Sequence, residues 1–184
     1  MSFEVVEKFE NKIAEFFGSP YAVAVDSCTH GLELCLRYKD VKKIVVPKRT
    51  YISVPFLANK LNIELEWKDE QWNEFYELGD TKIFDSAVLC LSFQFRKHLN
   101  LGRGGMILLD DPDALEELKK MSYDGRLPTI PWRNQNISSF GYHYYMTPET
   151  AQLGLDKISE AIETPPKKWT IDEWPDLTKM EIFK

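Results

Sequence analysis

The sequence predicts an α/β domain with a mostly parallel sheet, and three observations predict it. Short apolar runs alternate with segments of helical periodicity along most of the chain. Residues 21–38 read as a strand, a turn of Ser27, Cys28 and Thr29, and a helix. Residues 91–109 read as an apolar strand, a loop carrying Lys97, a glycine-rich turn at 102–105 and a second apolar strand.

Taken in order, Val5, Val6, Phe9, Ile13, Phe16 and Phe17 recur at helical spacing over residues 3–17, and Gly18 stops the helix. Residues 21–25 are a short buried strand bounded by Pro20 and Asp26. The hydroxyl-bearing turn then enters a helix over 32–38. A helix start offers unpaired N–H groups and the positive end of a dipole, so this turn suits an anion. Ser and Thr are equally ordinary helix caps. A strand at 43–46 closes at Pro47, and a helix over 50–61 carries Pro55 in its first turns, where a missing N–H is tolerated. Residues 63–67 alternate as a strand.

Beyond it, 70–78 is a charged, aromatic-rich stretch compatible with a short helix. Residues 82–84 form a short strand ending at Asp85, 88–95 another and 106–109 a further one. Asp111-Pro112-Asp113 is a helix start with a cap, a proline at the first position and an acid in the first turn. That helix turns Leu115, Leu118 and Met121 inward. Residues 122–142 are polar and irregular. Thr147-Pro148-Glu149 repeats the start signature, followed by an apolar face of Ala151, Leu155, Ile158 and Ile162. The expected division is therefore a domain over 1–162 and a tail over 163–184, where Trp169 and Trp174 belong to a packing arm.

Composition narrows the function. A formal net charge of −6 and a pI near 5.2 argue against a nucleic-acid binder. No apolar run approaches the ~20 residues that span a bilayer, and residues 1–7 lack the basic start of a secretory signal. Cys28, Cys35 and Cys90 have no metal-ligand spacing, so no metal site is expected, and three thiols cannot all pair. A cytoplasmic setting with reduced thiols is expected. Ligands on such sheets bind at the carboxyl ends of strands, which draws Thr29, Asp85 and Lys97 toward one crevice.

The ordered motifs resemble the DegT/StrS-type sugar aminotransferases, pyridoxal-phosphate enzymes of fold type I. Phe9-Glu10 and Gly18 resemble the family's opening helix. Val23-Ala24-Val25-Asp26-Ser27-Cys28-Thr29-His30-Gly31-Leu32 is similar to its Ser-Gly-Thr phosphate turn, with Cys28 in the place of glycine. Pro47 and Thr50-Tyr51 resemble the segment whose aromatic packs on the pyridine ring. Asp85-Ser86-Ala87 resembles the Asp-x-Ala that pairs with the pyridine nitrogen. Ser92-Phe93 with Lys97 resembles the Ser-Phe-x-x-x-Lys of the phosphate serine and Schiff-base lysine, followed by Gly104-Gly105-Met106. Gly141-Tyr142-His143-Tyr144-Tyr145-Met146 resembles a loop that reaches the neighbouring subunit's phosphate.

The resemblance implies an aspartate-aminotransferase-like large domain, shortened and without the C-terminal small domain. It implies pyridoxal 5'-phosphate as cofactor, Lys97 as catalytic amine, and Asp85, Ser92, Cys28, Thr29, Tyr51 and His143 as cofactor contacts. A homodimer with a composite site, a nucleotide-linked keto sugar and an amino donor such as glutamate are the implied partners. The sequence departs from the pattern at Val88, where Gln or His is usual, at His143 for Asn and at Tyr145 for Arg. A non-catalytic remnant acting as a binding or assembly module is the alternative expectation, because a site without a closing domain excludes water poorly.

Overall fold

The computed structural model describes residues 2–69, 88–165 and 174–184. Two compact units divide the chain, residues 1–38 with 76–167 and residues 39–75 with 168–184. The expected helix at 70–78, the strand at 82–84, Asp85, the side chain of Val88 and Trp169 lie outside the described residues.

The first unit is built on a three-stranded sheet. β1 (Tyr21–Val25) and β4 (Val88–Ser92) both run antiparallel to β5 (Gly105–Leu109), which lies between them. The α/β class holds, and within it β5 reverses the parallel course expected of the sheet. The connection at 93–104 explains the reversal. Parallel neighbours need a crossover, usually a helix, and this segment contains none. Instead the ladder continues past its last strand residues: Phe93 N donates to Gly104 O at 2.9 Å and Phe95 N to Gly102 O at 3.1 Å. Lys97 therefore sits near the tip of an extended hairpin.

Helices cover both faces of this sheet. α1 (Glu4–Phe17) and α5 (Pro148–Glu163) pack together over Ala22, Ala24, Leu91, Met106 and Leu108. Phe9 is wholly buried, and a Cβ on Gly154 of α5 would fall 2.5 Å from its ring. The buried stripe of α5 thus consists of Ala151, Gly154, Ile158 and Ala161, while Ile162 is left exposed. α2 (Cys28–Tyr38) crosses the other face, where Gly31 meets Val25, Cys90 and Ile107. It packs beside α4 (Pro112–Ser122), whose cap Asp111 accepts from the Asp113 and Ala114 amides at 2.9 and 3.3 Å. α2 begins at Cys28, earlier than the apolar run at 32–38 indicates, so Cys28 and Thr29 belong to the helix itself.

One buried acid stabilises the outer strand. Glu10 of α1 is 5% exposed, accepts from the Ala24 amide at 2.8 Å and pairs with Lys119 at 2.9 Å. Burial pushes its pKa up, while Lys119 and the Ala24 N–H favour its charged form.

The second unit is a parallel β–α–β turn: β2 (Lys43–Pro47), α3 (Ser53–Leu61) and β3 (Glu64–Lys68). Residues 174–184 pack within this unit. Leu177 is 1% exposed and its amide bonds Lys48 O at 2.9 Å. The Phe183 ring lies 5.6 Å from Phe56 and 5.3 Å from Trp67, and Trp174 stands edge-on to Tyr51 at 5.8 Å. A β–α–β turn this small leaves apolar surface on α3 and β3 uncovered, and the tail covers it. Trp174 is part of a packing arm on its own chain.

The start of β5 has no room for a side chain. A Cβ on Gly105 would fall 2.5 Å from the Cys28 amide nitrogen, whereas Gly102 has a φ of 78° and nothing within 4 Å. Gly105→Ala is expected to cost about 3 kcal/mol of unfolding free energy through overpacking against backbone. Gly102→Ala should cost only about 1 kcal/mol of left-handed strain. Urea titration of both variants measures the difference, and equal losses would contradict the close approach.

Candidate functional site

The carboxyl ends of β1 and β4 lie on either side of the first residue of β5, since Val25 and Ser92 both pair with Gly105. Two chain segments project from that edge: the turn leading into α2 and the loop containing Lys97. The geometry brings together Ser27, Cys28, Thr29, Ser92 and Lys97 within one unit. Tyr51 belongs to the other unit, half-exposed and packed on Trp174.

Lys97 is placed by what surrounds it in sequence. Its amide donates to Gln94 O at 2.8 Å, closing a turn. Phe93, Leu99 and Leu101 on either side are buried, and the Leu101 amide returns to Phe93 O at 2.9 Å. His98 then ties the loop to the end of α5, its Nε2 2.6 Å from Ala161 O. His98 is thereby a loop anchor. Burial lowers the Lys97 pKa from 10.5 to about 8, with Cys28 acting weakly in the opposite direction. An amine of that kind is neutral, and nucleophilic, in a useful fraction near neutral pH.

The α2 start carries its own network. The Ser27 hydroxyl accepts from the His30 amide at 3.3 Å and donates to Asp26 Oδ1 at 3.3 Å. Cys28 Sγ points to Cys90 O at 3.9 Å, and the Cys35 and Cys90 sulfurs lie 3.9 Å apart in the core. Ser92 is buried at the end of β4. His143 is bridged to Tyr123, has a side chain 72% exposed and meets Asp124 at 3.2 Å. Tyr145 packs on Phe3 and Tyr123.

Several charged residues at this edge were not singled out by the sequence. Asp26 pairs with His30 at 2.6 Å and with Arg103 at 2.7 Å. His30 stacks on Tyr144 with ring centroids 3.7 Å apart. Behind them, fully buried Glu33 pairs with Arg37 at 2.9 Å, and Arg37 lies over the Tyr142 ring at 4.7 Å. The i,i+4 spacing of Glu33 and Arg37 on a helix was a readable signal. The Asp26–Arg103 contact joins positions 77 apart and had none.

Comparison with known proteins bears on the family and the fold of the chain. The DegT/DnrJ/EryC1/StrS aminotransferase family matches residues 1–67 and 80–171. An uncharacterized protein of Methanocaldococcus jannaschii, MJ1066, is 22% identical over 84% of this chain and 56% of its own length. Among solved structures, AtS13 from Actinomadura melliaura superposes with a TM-score of 0.75 at 18% identity, covering 88% of this chain and 61% of that one. Helicobacter pylori PseC, an aminotransferase involved in the biosynthesis of pseudoaminic acid, gives 0.72 at 13% identity, covering 85% and 58%. The pyridoxal-phosphate form of Spr1654 from Streptococcus pneumoniae, a sugar aminotransferase by its description, gives 0.70 at 16% identity, covering 85% and 59%. The chain thus spans about three fifths of the length of these relatives. It belongs to the DegT/DnrJ/EryC1/StrS aminotransferase family and has the fold of its large domain.

The lowered pKa makes a direct prediction. Labelling of Lys97 by an amine-specific reagent should rise with pH about a midpoint near 8, where its neutral form appears. Peptide mass spectrometry from about pH 6 to about pH 11, a range that takes in the ordinary lysine value of about 10.4 as well, reads this out. A midpoint at the ordinary lysine value would mean that the side chain is solvated.

Proposed function

We propose that this family member binds pyridoxal 5'-phosphate and uses Lys97 to transfer an amino group from a donor such as glutamate to the keto carbon of a nucleotide-linked sugar. The observation that carries the reading is the desolvated Lys97 amine beside a helix start at the carboxyl edge of the sheet.

The residues suit the cofactor. A phosphate monoester is held by helix-start N–H groups and hydroxyls, and Cys28 and Thr29 open α2 with Ser92 at the adjoining strand end. The lack of a side chain at Gly105 keeps β5 tight against that start. Lys97 would be the primary amine that holds the cofactor aldehyde, and its neutral form would hold or move a proton at the reacting carbon. When bound, the cofactor supplies an electron sink, and Asp85 is assigned the pyridine nitrogen and Tyr51 the ring face by resemblance alone.

The exposed His143 suits contact with a neighbouring subunit's phosphate, in a homodimer whose sites are composite. A cytoplasmic location belongs to the same reading. Among the described residues no helix is long and apolar enough to cross a membrane.

Purified protein mixed with pyridoxal phosphate should gain a long-wavelength absorption band that Lys97→Ala abolishes. Added glutamate should then bleach it. No band in the wild type would overturn the proposal, and a band inert to glutamate would leave binding without transfer, the module reading. Sedimentation at micromolar concentration should show a dimer, and a monomer would contradict the composite site.

A further inference from the structure

Asp26 introduces an unusual charge into a turn suited to an anion. A carboxylate just before the α2 start repels a phosphate placed there. Its oxygens also engage groups that a phosphate could use. Oδ1 takes His30 Nδ1 at 2.6 Å and the Ser27 hydroxyl at 3.3 Å, and Oδ2 takes Arg103 Nη2 at 2.7 Å. Arg103 is held a second time, its Nε donating to Asp26 O at 3.1 Å. The backbone fixes Asp26 as well, through its amide to Tyr144 O at 2.8 Å, and the Tyr144 ring backs His30. Arg103 lies between Gly102 and Gly104, both at positive φ. Those glycines let the hairpin return sharply enough to present the guanidinium to the other segment.

We propose that Asp26 and Arg103 are a matched pair of positioning residues that sets the affinity of the α2 start for a phosphate monoester: Asp26 as an internal anion that weakens it, Arg103 as the cation that offsets Asp26. The inference rests on the cofactor reading above and adds a control to it. The same side chains that fix the turn determine its net charge. A pair in which each member cancels the other leaves the turn geometry intact while keeping phosphate binding moderate. The pair links the Lys97 hairpin to the turn before α2.

Charge arithmetic supplies the test. Asp26→Asn, Arg103→Ala and the double variant are titrated with two probes, pyridoxal phosphate and pyridoxal, which carries the aldehyde but no phosphate. Binding is followed by absorbance, without turnover. One unit charge beside a half-exposed anion shifts affinity about tenfold. Asp26→Asn should therefore tighten pyridoxal phosphate about tenfold and Arg103→Ala weaken it by the same factor. The double variant should return close to the wild type, and pyridoxal should bind all four proteins alike. If the double variant binds as weakly as Arg103→Ala, or if pyridoxal follows the same order, the pair is only a fold contact and the inference fails. Equal pyridoxal phosphate affinity in all four overturns it while leaving the cofactor reading in place. A wild type that binds neither probe overturns both.

Discussion

A Cβ on Gly105 would fall 2.5 Å from the Cys28 amide nitrogen and 2.6 Å from the Ser27 carbonyl carbon. That absence of space joins the two parts of the site. β5 can begin against the α2 start only because its first residue has no side chain, and its pairing with both Val25 and Ser92 then fixes the ends of β1 and β4. Everything assigned to the cofactor within this unit depends on that three-way junction. Strand, turn and helix on one side and the lysine hairpin on the other are otherwise far apart in sequence.

The junction also explains why Lys97 is chemically distinct from a surface lysine. Its loop is held down on both sides, because Phe93, Leu99 and Leu101 are buried and His98 fastens it to α5. A side chain confined in this way loses hydration of its charged form, and its pKa falls to about 8. The packing of α5 against α1, which needs Gly154 to admit Phe9, therefore reaches the loop of the amine through the His98 contact to Ala161 O, the Lys157 bond to Asn100 O and the shared core of Leu99 and Leu101. Fold stability and amine reactivity are linked along that path.

Much of this was legible in the sequence, and the reasons for the rest are physical. Helices with explicit caps, such as those opened by Asp111 and Thr147, begin where their signatures place them. α2 does not show its start through apolar periodicity, because its first turn is polar and faces the site edge. The antiparallel course of β5 could have been inferred from a connection that carries turn residues and a lysine but no helical period. Glu10 is an acid on an otherwise apolar face, and only the Ala24 amide and Lys119 reveal why it is buried. The ordered family motifs led to Ser92, Lys97 and the α2 turn. Asp26 and Arg103 departed from no pattern that one sequence displays, and their pairing is a tertiary event.

The central claim is that Lys97, among all the amines of the chain, is the one that takes the cofactor aldehyde. Borohydride reduction of protein saturated with pyridoxal phosphate, followed by peptide mass spectrometry, tests it most directly. The account predicts a single stoichiometric pyridoxyl group on the peptide containing Lys97. A group on another lysine, or spread over many at low occupancy, would contradict it.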